Sequence, residues 1–151
     1  MERLPYIDEH SLRIAAHPEA VWRALLSTLR SDLGGRAPGA FARLLGVTPA
    51  GRQGEWREAI QPGDSLPGFA VTESVPERRL ALSGSHRFSR YVLVFELDAG
   101  TETGAPDCTL RAQTWAEFPG RSGRIYRALV IGSRGHRLVV DRLLHQTARR
   151  I

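Results

Sequence analysis

The chain has 151 residues, 42% of them hydrophobic and 25% charged, proportions of an ordinary globular protein that exclude a disordered or fibrous class. Cys108 is its one cysteine, which excludes an intrachain disulfide or a cluster of cysteine metal ligands and suits a reducing cytoplasm. The formal net charge is +5, yet all 21 basic residues are arginine, with no lysine or asparagine anywhere; a coding bias against AA-starting codons accounts for part of that excess.

A fold of this length can bury roughly 68–70% of the surface its unfolded chain exposes, so one domain over residues 1–151 is expected to stand without metal or cofactor. Met1-Glu2-Arg3-Leu4-Pro5-Tyr6 lacks the continuous apolar stretch of a secretory leader. Apolar runs such as Ala128-Leu129-Val130-Ile131 fall far short of the ~20 residues that span a bilayer. A cytoplasmic protein with no membrane insertion is therefore expected. The arginines run from Arg3 to Arg150 without a compact basic block, so nucleic acid is not an expected partner. A homodimer stays open.

Residues 10–15 alternate, with Leu12 and Ile14 on one face, which is the period of a half-buried strand. Pro18 and Glu19 suit a first helical turn, and Val21, Leu25 and Leu29 with Trp22 and Leu26 give the helix a broad apolar stripe. Glycines and prolines bracket a second, short helix around Phe41, Leu44 and Leu45, and a strand is expected at residues 56–60. Residues 69–75 and 79–83 read as a hairpin turned by Pro76-Glu77-Arg78. Residues 91–97 carry the strongest strand pattern, followed by a Gly/Thr/Pro loop and a strand over residues 108–118. From Gly123 the chain turns helical to its C-terminus, and Gly132-Ser133-Arg134-Gly135 predicts a kink or break in that helix.

This order is an α+β arrangement: a helix-grip, with a curved antiparallel sheet of six to seven strands wrapped around a long C-terminal helix and two short helices after the first strand. Tyr91, Leu93, Phe95 and Leu97 form one inward face, and Leu110, Ala112, Thr114, Ala116 and Phe118 another. The small residues Ala112, Thr114 and Ala116 leave room for a cavity under the helix. Leu80, Leu82, Tyr91, Leu93, Phe95, Leu110, Ala112, Thr114, Ala116, Tyr126 and Leu129 are its expected lining.

His17-Pro18-Glu19-Ala20-Val21-Trp22, the stretch from Gly68-Phe69-Ala70-Val71 through Tyr91-Val92-Leu93-Val94-Phe95-Glu96-Leu97, and the C-terminal helix carry a likeness over nearly the whole chain. In these the sequence resembles the START-like superfamily, also called SRPBCC. The resemblance implies a deep cavity between sheet and terminal helix that takes lipids, sterols, polyketides or similar molecules. Some such relatives are polyketide cyclases or dehydratases. The superfamily shares no catalytic residues, so no mechanism transfers with it. The glycine-broken terminal helix departs from its usual pattern.

Gly84-Ser85-His86-Arg87-Phe88-Ser89-Arg90-Tyr91 is the most polar approach to the sheet. Tyr91 with His86 or Arg87 could donate to a ligand carbonyl or carboxylate, against the plainer reading of a solvated connection. Tyr126 could orient a ligand through its hydroxyl or sit as an ordinary core tyrosine. His136 follows the Gly135 break, where freed carbonyls could accept its N–H, so a structural role is weighed above a catalytic one. Glu117 falls on the face opposite the cavity. His10, His17 and His145 lie singly, without HExxH spacing, and no metal is expected. Neither a glycine-rich nucleotide loop nor a GxSxG elbow is present. Binding of a small hydrophobic molecule is the leading reading. A cyclase- or dehydratase-like enzyme and a polyanion- or protein-binding module on the arginine surface are the alternatives.

Overall fold

The computed structural model describes residues 4–34, 60–66, 68–86, 89–100, 106–132 and 134–151. Its strands are β1 (Tyr6–Ile14), β2 (Ser65–Leu66), β3 (Phe69–Val75), β4 (Arg79–His86), β5 (Ser89–Ala99) and β6 (Cys108–Glu117); its helices are α1 (Pro18–Gly34), α2 (Gly120–Val130) and α3 (Gly135–Ala148). The strands form one antiparallel sheet in the order β1-β6-β5-β4-β3-β2. This is the expected helix-grip architecture, a curved open sheet of six strands with helices against its inner face. The short helix expected near Phe41 and most of the strand expected at residues 56–60 lie outside the described residues.

Strand alternation decides which side chains face the helices. On β6 the pattern is strict: Cys108, Leu110, Ala112, Thr114 and Ala116 are buried, and the residues between them are half-buried on the other side. Direct pairing sets Phe95 beside Ala112 and Leu93 beside Thr114, and Leu80 and Leu82 beside Phe95 and Leu93. The turn between β3 and β4 puts Glu77 at φ 62°, a left-handed conformation that Pro76 and Arg78 flank as the sequence predicts.

The helix after β1 is longer than its apolar stripe suggests, 17 residues. Val21, Leu25 and Leu29 are fully enclosed, and the stripe runs on through Thr28 and Leu33. Thr28 satisfies its buried hydroxyl by donating to the Ala24 carbonyl at 2.9 Å. Helix α1 packs on β5, β6 and α3, while α3 lies along β1 and β6. Burying a leucine or phenylalanine is worth about 1.5–3 kcal/mol, and the buried side chains of α1, α3 and the sheet form one continuous apolar core.

The terminal helix is broken where the glycines predict. The Ile131 and Gly132 amides both donate to the Arg127 carbonyl, at 2.8 and 3.4 Å, and Arg134 sits at φ 59°. A Cβ at Gly132 would come within 2.4 Å of the Ala128 carbonyl oxygen, so only glycine allows the helix to close this way. Beyond the break α3 buries His136, Val140, Leu143, Leu144 and Thr147. Among the described residues no helix is long and apolar enough to cross a membrane.

A candidate ligand site at the junction of strand 1, strand 6 and the last helix

Strand β1 starts four residues earlier than its sequence pattern suggests, and after a register shift between Tyr6 and Asp8 it pairs with β6 in unbroken alternation to Ile14. By that alternation Asp8 and His10 share the inner face with Leu12 and Ile14. Asp8 pairs with Thr114 and His10 with Ala112 across the ladder. The first turn of α3 lowers His136 onto the same spot. Its Nε2 lies 3.1 Å from Thr114 Oγ1 and 3.3 Å from Asp8 Oδ1. His10 Nε2 stands 3.5 Å from Asp8 Oδ2, and the Arg137 guanidinium reaches Asp8 at 3.9 Å from the protein surface.

One carboxylate thus stands between two imidazoles, with Asp8, Thr114 and His136 at 8%, 6% and 3% exposure. Burial pushes the Asp8 carboxyl up, but the close imidazoles of His136 and then His10 outweigh it and hold the group below the ordinary carboxylate range. Two atoms in this corner, Asp8 Oδ1 and His10 Nε2, are enclosed yet make no hydrogen bond of proper geometry. Buried polar atoms are nearly always satisfied, so such orphans mark a place where a ligand group or a water completes the bonding. The sequence leads one to expect Thr114 in the cavity lining and His136 among its polar contacts; the structure brings the two together. Asp8 and His10 escape that expectation, because His10 stands alone among the histidines of the sequence. The signal is nonetheless present in the spacing Asp8-x-His10-x-Leu12-x-Ile14, a single alternating face.

The other expected lining residues divide into two groups. Leu80, Leu82, Tyr91, Leu93, Phe95, Leu110, Ala112 and Ala116 are all buried in the common core. The side chains of Tyr126, Leu129 and His86, and the whole of Arg87, lie outside the described residues. Tyr91 donates its hydroxyl to the Gly68 carbonyl at 3.0 Å, and its ring packs edge-on to Phe69 at 5.3 Å. That ring lies over Gly84, where a Cβ would approach it within 2.3 Å. Its proton is therefore committed within the protein.

Glu117 is on the outward face as expected, paired with Arg90. That face also carries Arg79 between Glu73 and Glu96 and Arg111 on Asp98 at 2.9 Å. A groove of about 890 Å3 crosses it over Ala70, Thr72, Ala81, Ser83 and Val92. Burial pushes the Cys108 thiol up to about 11, helped by Asp98 and Asp107, so the one cysteine is not a nucleophile at neutral pH.

No family model matches the chain, and neither does any curated protein. Solved structures do. Mll3558 from Rhizobium loti superposes with a TM-score of 0.56 at 16% identity, over 95% of each chain. Truncated norcoclaurine synthase from Thalictrum flavum gives 0.54 at 10% identity, over 99% of this chain and 96% of that one. DynU16, from the dynemicin biosynthetic locus, gives 0.50 at 18% identity, over 93% of this chain and 45% of its own. What these proteins share with the chain is the helix-grip fold.

Proposed function

We propose that the chain is a START-like protein that binds a small, largely apolar molecule between the inner face of its sheet and the C-terminal helix, with a hydroxyl of that molecule held at Asp8. The observation that carries this reading is the pair of enclosed, unsatisfied atoms Asp8 Oδ1 and His10 Nε2, next to the small residues Ala112 and Thr114. A carboxylate accepts hydrogen bonds only, so the group it calls for is an O–H or N–H donor. A hydroxyl can donate to Asp8 and accept from an imidazole at once. Apolar walls with a few convergent polar groups are the usual makeup of a small-molecule site. The fold supports the reading as well, since its solved examples include a synthase and a protein from a biosynthetic locus.

The same atoms favour a second reading, in which the Asp8–His10 pair moves a proton on the bound molecule. A carboxylate and an imidazole 3.5 Å apart can hold and pass a proton between them. Catalysed deuterium exchange at an acidic C–H of a bound ketone, absent in His10→Ala, would support it. Exchange at equal rates in both proteins would remove it.

Thermal shift and native mass spectrometry test the binding reading, using long-chain alcohols, alkylphenols and the matching hydrocarbons. Hydroxylated ligands should raise the melting temperature and appear as one-to-one complexes. The gain should shrink at least about tenfold in affinity in Asp8→Asn, the loss of one charge-assisted hydrogen bond. Failure of every compound to bind, or equal binding of hydrocarbon and alcohol, would overturn the reading.

A further inference from the structure

Between Glu117 and Asp141 the chain holds Arg121, Arg124, Arg127, Arg134 and Arg137 and no acidic residue. Elsewhere, the remaining arginines, sixteen of the 21, equal in number the 16 acidic residues. The formal charge of +5 therefore resides in this one segment, although the arginines look scattered along the chain. Pairing on the sheet sharpens the imbalance. Glu73, Glu96, Asp98, Asp107 and Glu117 are each engaged by Arg79, Arg111, Arg13 or Arg90, whereas the side chains of Arg121, Arg124, Arg127 and Arg134 contact no described acidic residue.

Helix α2, which carries three of these arginines, is unlike α1 and α3. Of its described side chains, those of Arg121, Ser122, Arg124, Ile125, Arg127 and Ala128 are all exposed. Eleven residues are below the ~12–15 at which an isolated helix holds its shape in water. Ile125 is 65% exposed, one helical turn from Arg121 and adjacent to Arg124. Leu138, 71% exposed, follows Arg137 directly. A basic helix that also offers apolar side chains to solvent matches the boundary between lipid headgroups and acyl chains; a nucleic-acid phosphate would use the arginines and leave Ile125 in water.

We propose that α2 forms a docking surface for an anionic phospholipid bilayer. The arginines meet the headgroup phosphates, and Ile125 enters the acyl boundary without any segment spanning the membrane. This is separate from the ligand reading and stands or falls without it.

Co-sedimentation of the full chain with phosphatidylglycerol-containing vesicles, pure phosphatidylcholine vesicles and duplex DNA tests it. The expected result is binding to the anionic vesicles only, weakening as salt shortens the screening length. The triple change Arg121→Ser, Arg124→Ser, Arg127→Ser should lower partitioning roughly a hundredfold, at about fivefold per basic residue near an anionic surface. Lysine at the three positions should restore it, and Ile125→Ser should lower it about tenfold. Circular dichroism, with all four positions exposed, should report an unchanged fold. Equal binding to neutral vesicles, no binding to anionic ones, retention by the triple variant, or tighter binding to DNA would each overturn the proposal.

Discussion

Under α1, the inner face of β4 and β5 is a closed interior: Leu80, Leu82, Leu93 and Phe95 are enclosed and carry no polar side-chain atom that needs a partner. Under the first turn of α3, the same face continued onto β6 and β1 presents Thr114, Asp8 and His10 to His136, and two of their atoms are left without hydrogen bonds. The difference is that the first is complete by itself, through dispersion and water exclusion, while the second keeps Asp8 Oδ1 and His10 Nε2 without a hydrogen bond, which is the basis for proposing a ligand there.

That contrast can be tested from its strongest consequence to its weakest. Phe95→Ala should cost about 3–5 kcal/mol of stability in urea unfolding, because it empties the packed half; a loss below about 1 kcal/mol would mean that this half is not closed. Cys108, enclosed at the end of β6, should react with iodoacetamide more than about a hundredfold more slowly than in the unfolded chain at pH 8, given a thiol pushed up to about 11. In the polar corner, the Asp8 carboxyl is held below its ordinary value of 3.8. The unfolded state therefore binds the proton first, and the stability Asp8 contributes is fully present above that value and lost as pH falls through the lower, folded one. Asp8→Asn should flatten the acid limb of the stability curve below the ordinary carboxylate value of 3.8, and an unchanged limb would show that the carboxylate is not held by its histidines. The smallest effect belongs to Leu138→Ala on the outer side of α3, within about 0.5 kcal/mol of wild type.

Much of the closed half is legible in the chain because its cause is local. Period-two alternation in residues 91–97 and 108–118 assigns the inner faces, Pro18 and Glu19 start α1, and Gly132 with Gly135 marks the helix break. The polar corner is hidden for two physical reasons. Alternation from Ile14 back to Asp8 fixes the face Asp8 takes, but a charged residue and a histidine at the start of a strand give no sign that the first stays buried and the second half-buried. The corner is also assembled from three elements, with Thr114 and His136 separated by 22 residues in sequence and Asp8 distant from both. Sequence spacing can suggest which face a residue takes, but not which helix will settle on it. The ligand-facing role expected of Tyr91 does not foresee Gly68, because a backbone carbonyl leaves no signature in composition.

The central claim, that Asp8 and its two histidines complete their bonding with a ligand, is tested most directly by nitrogen NMR of 15N-labelled imidazoles during titration with the best hydroxylated ligand. The Nε2 resonances of His10 and His136 should move together and saturate with one molecule bound, while His145, on the exposed face of α3, stays fixed. Saturating binding that leaves His10 and His136 unmoved would place the ligand elsewhere and contradict the account.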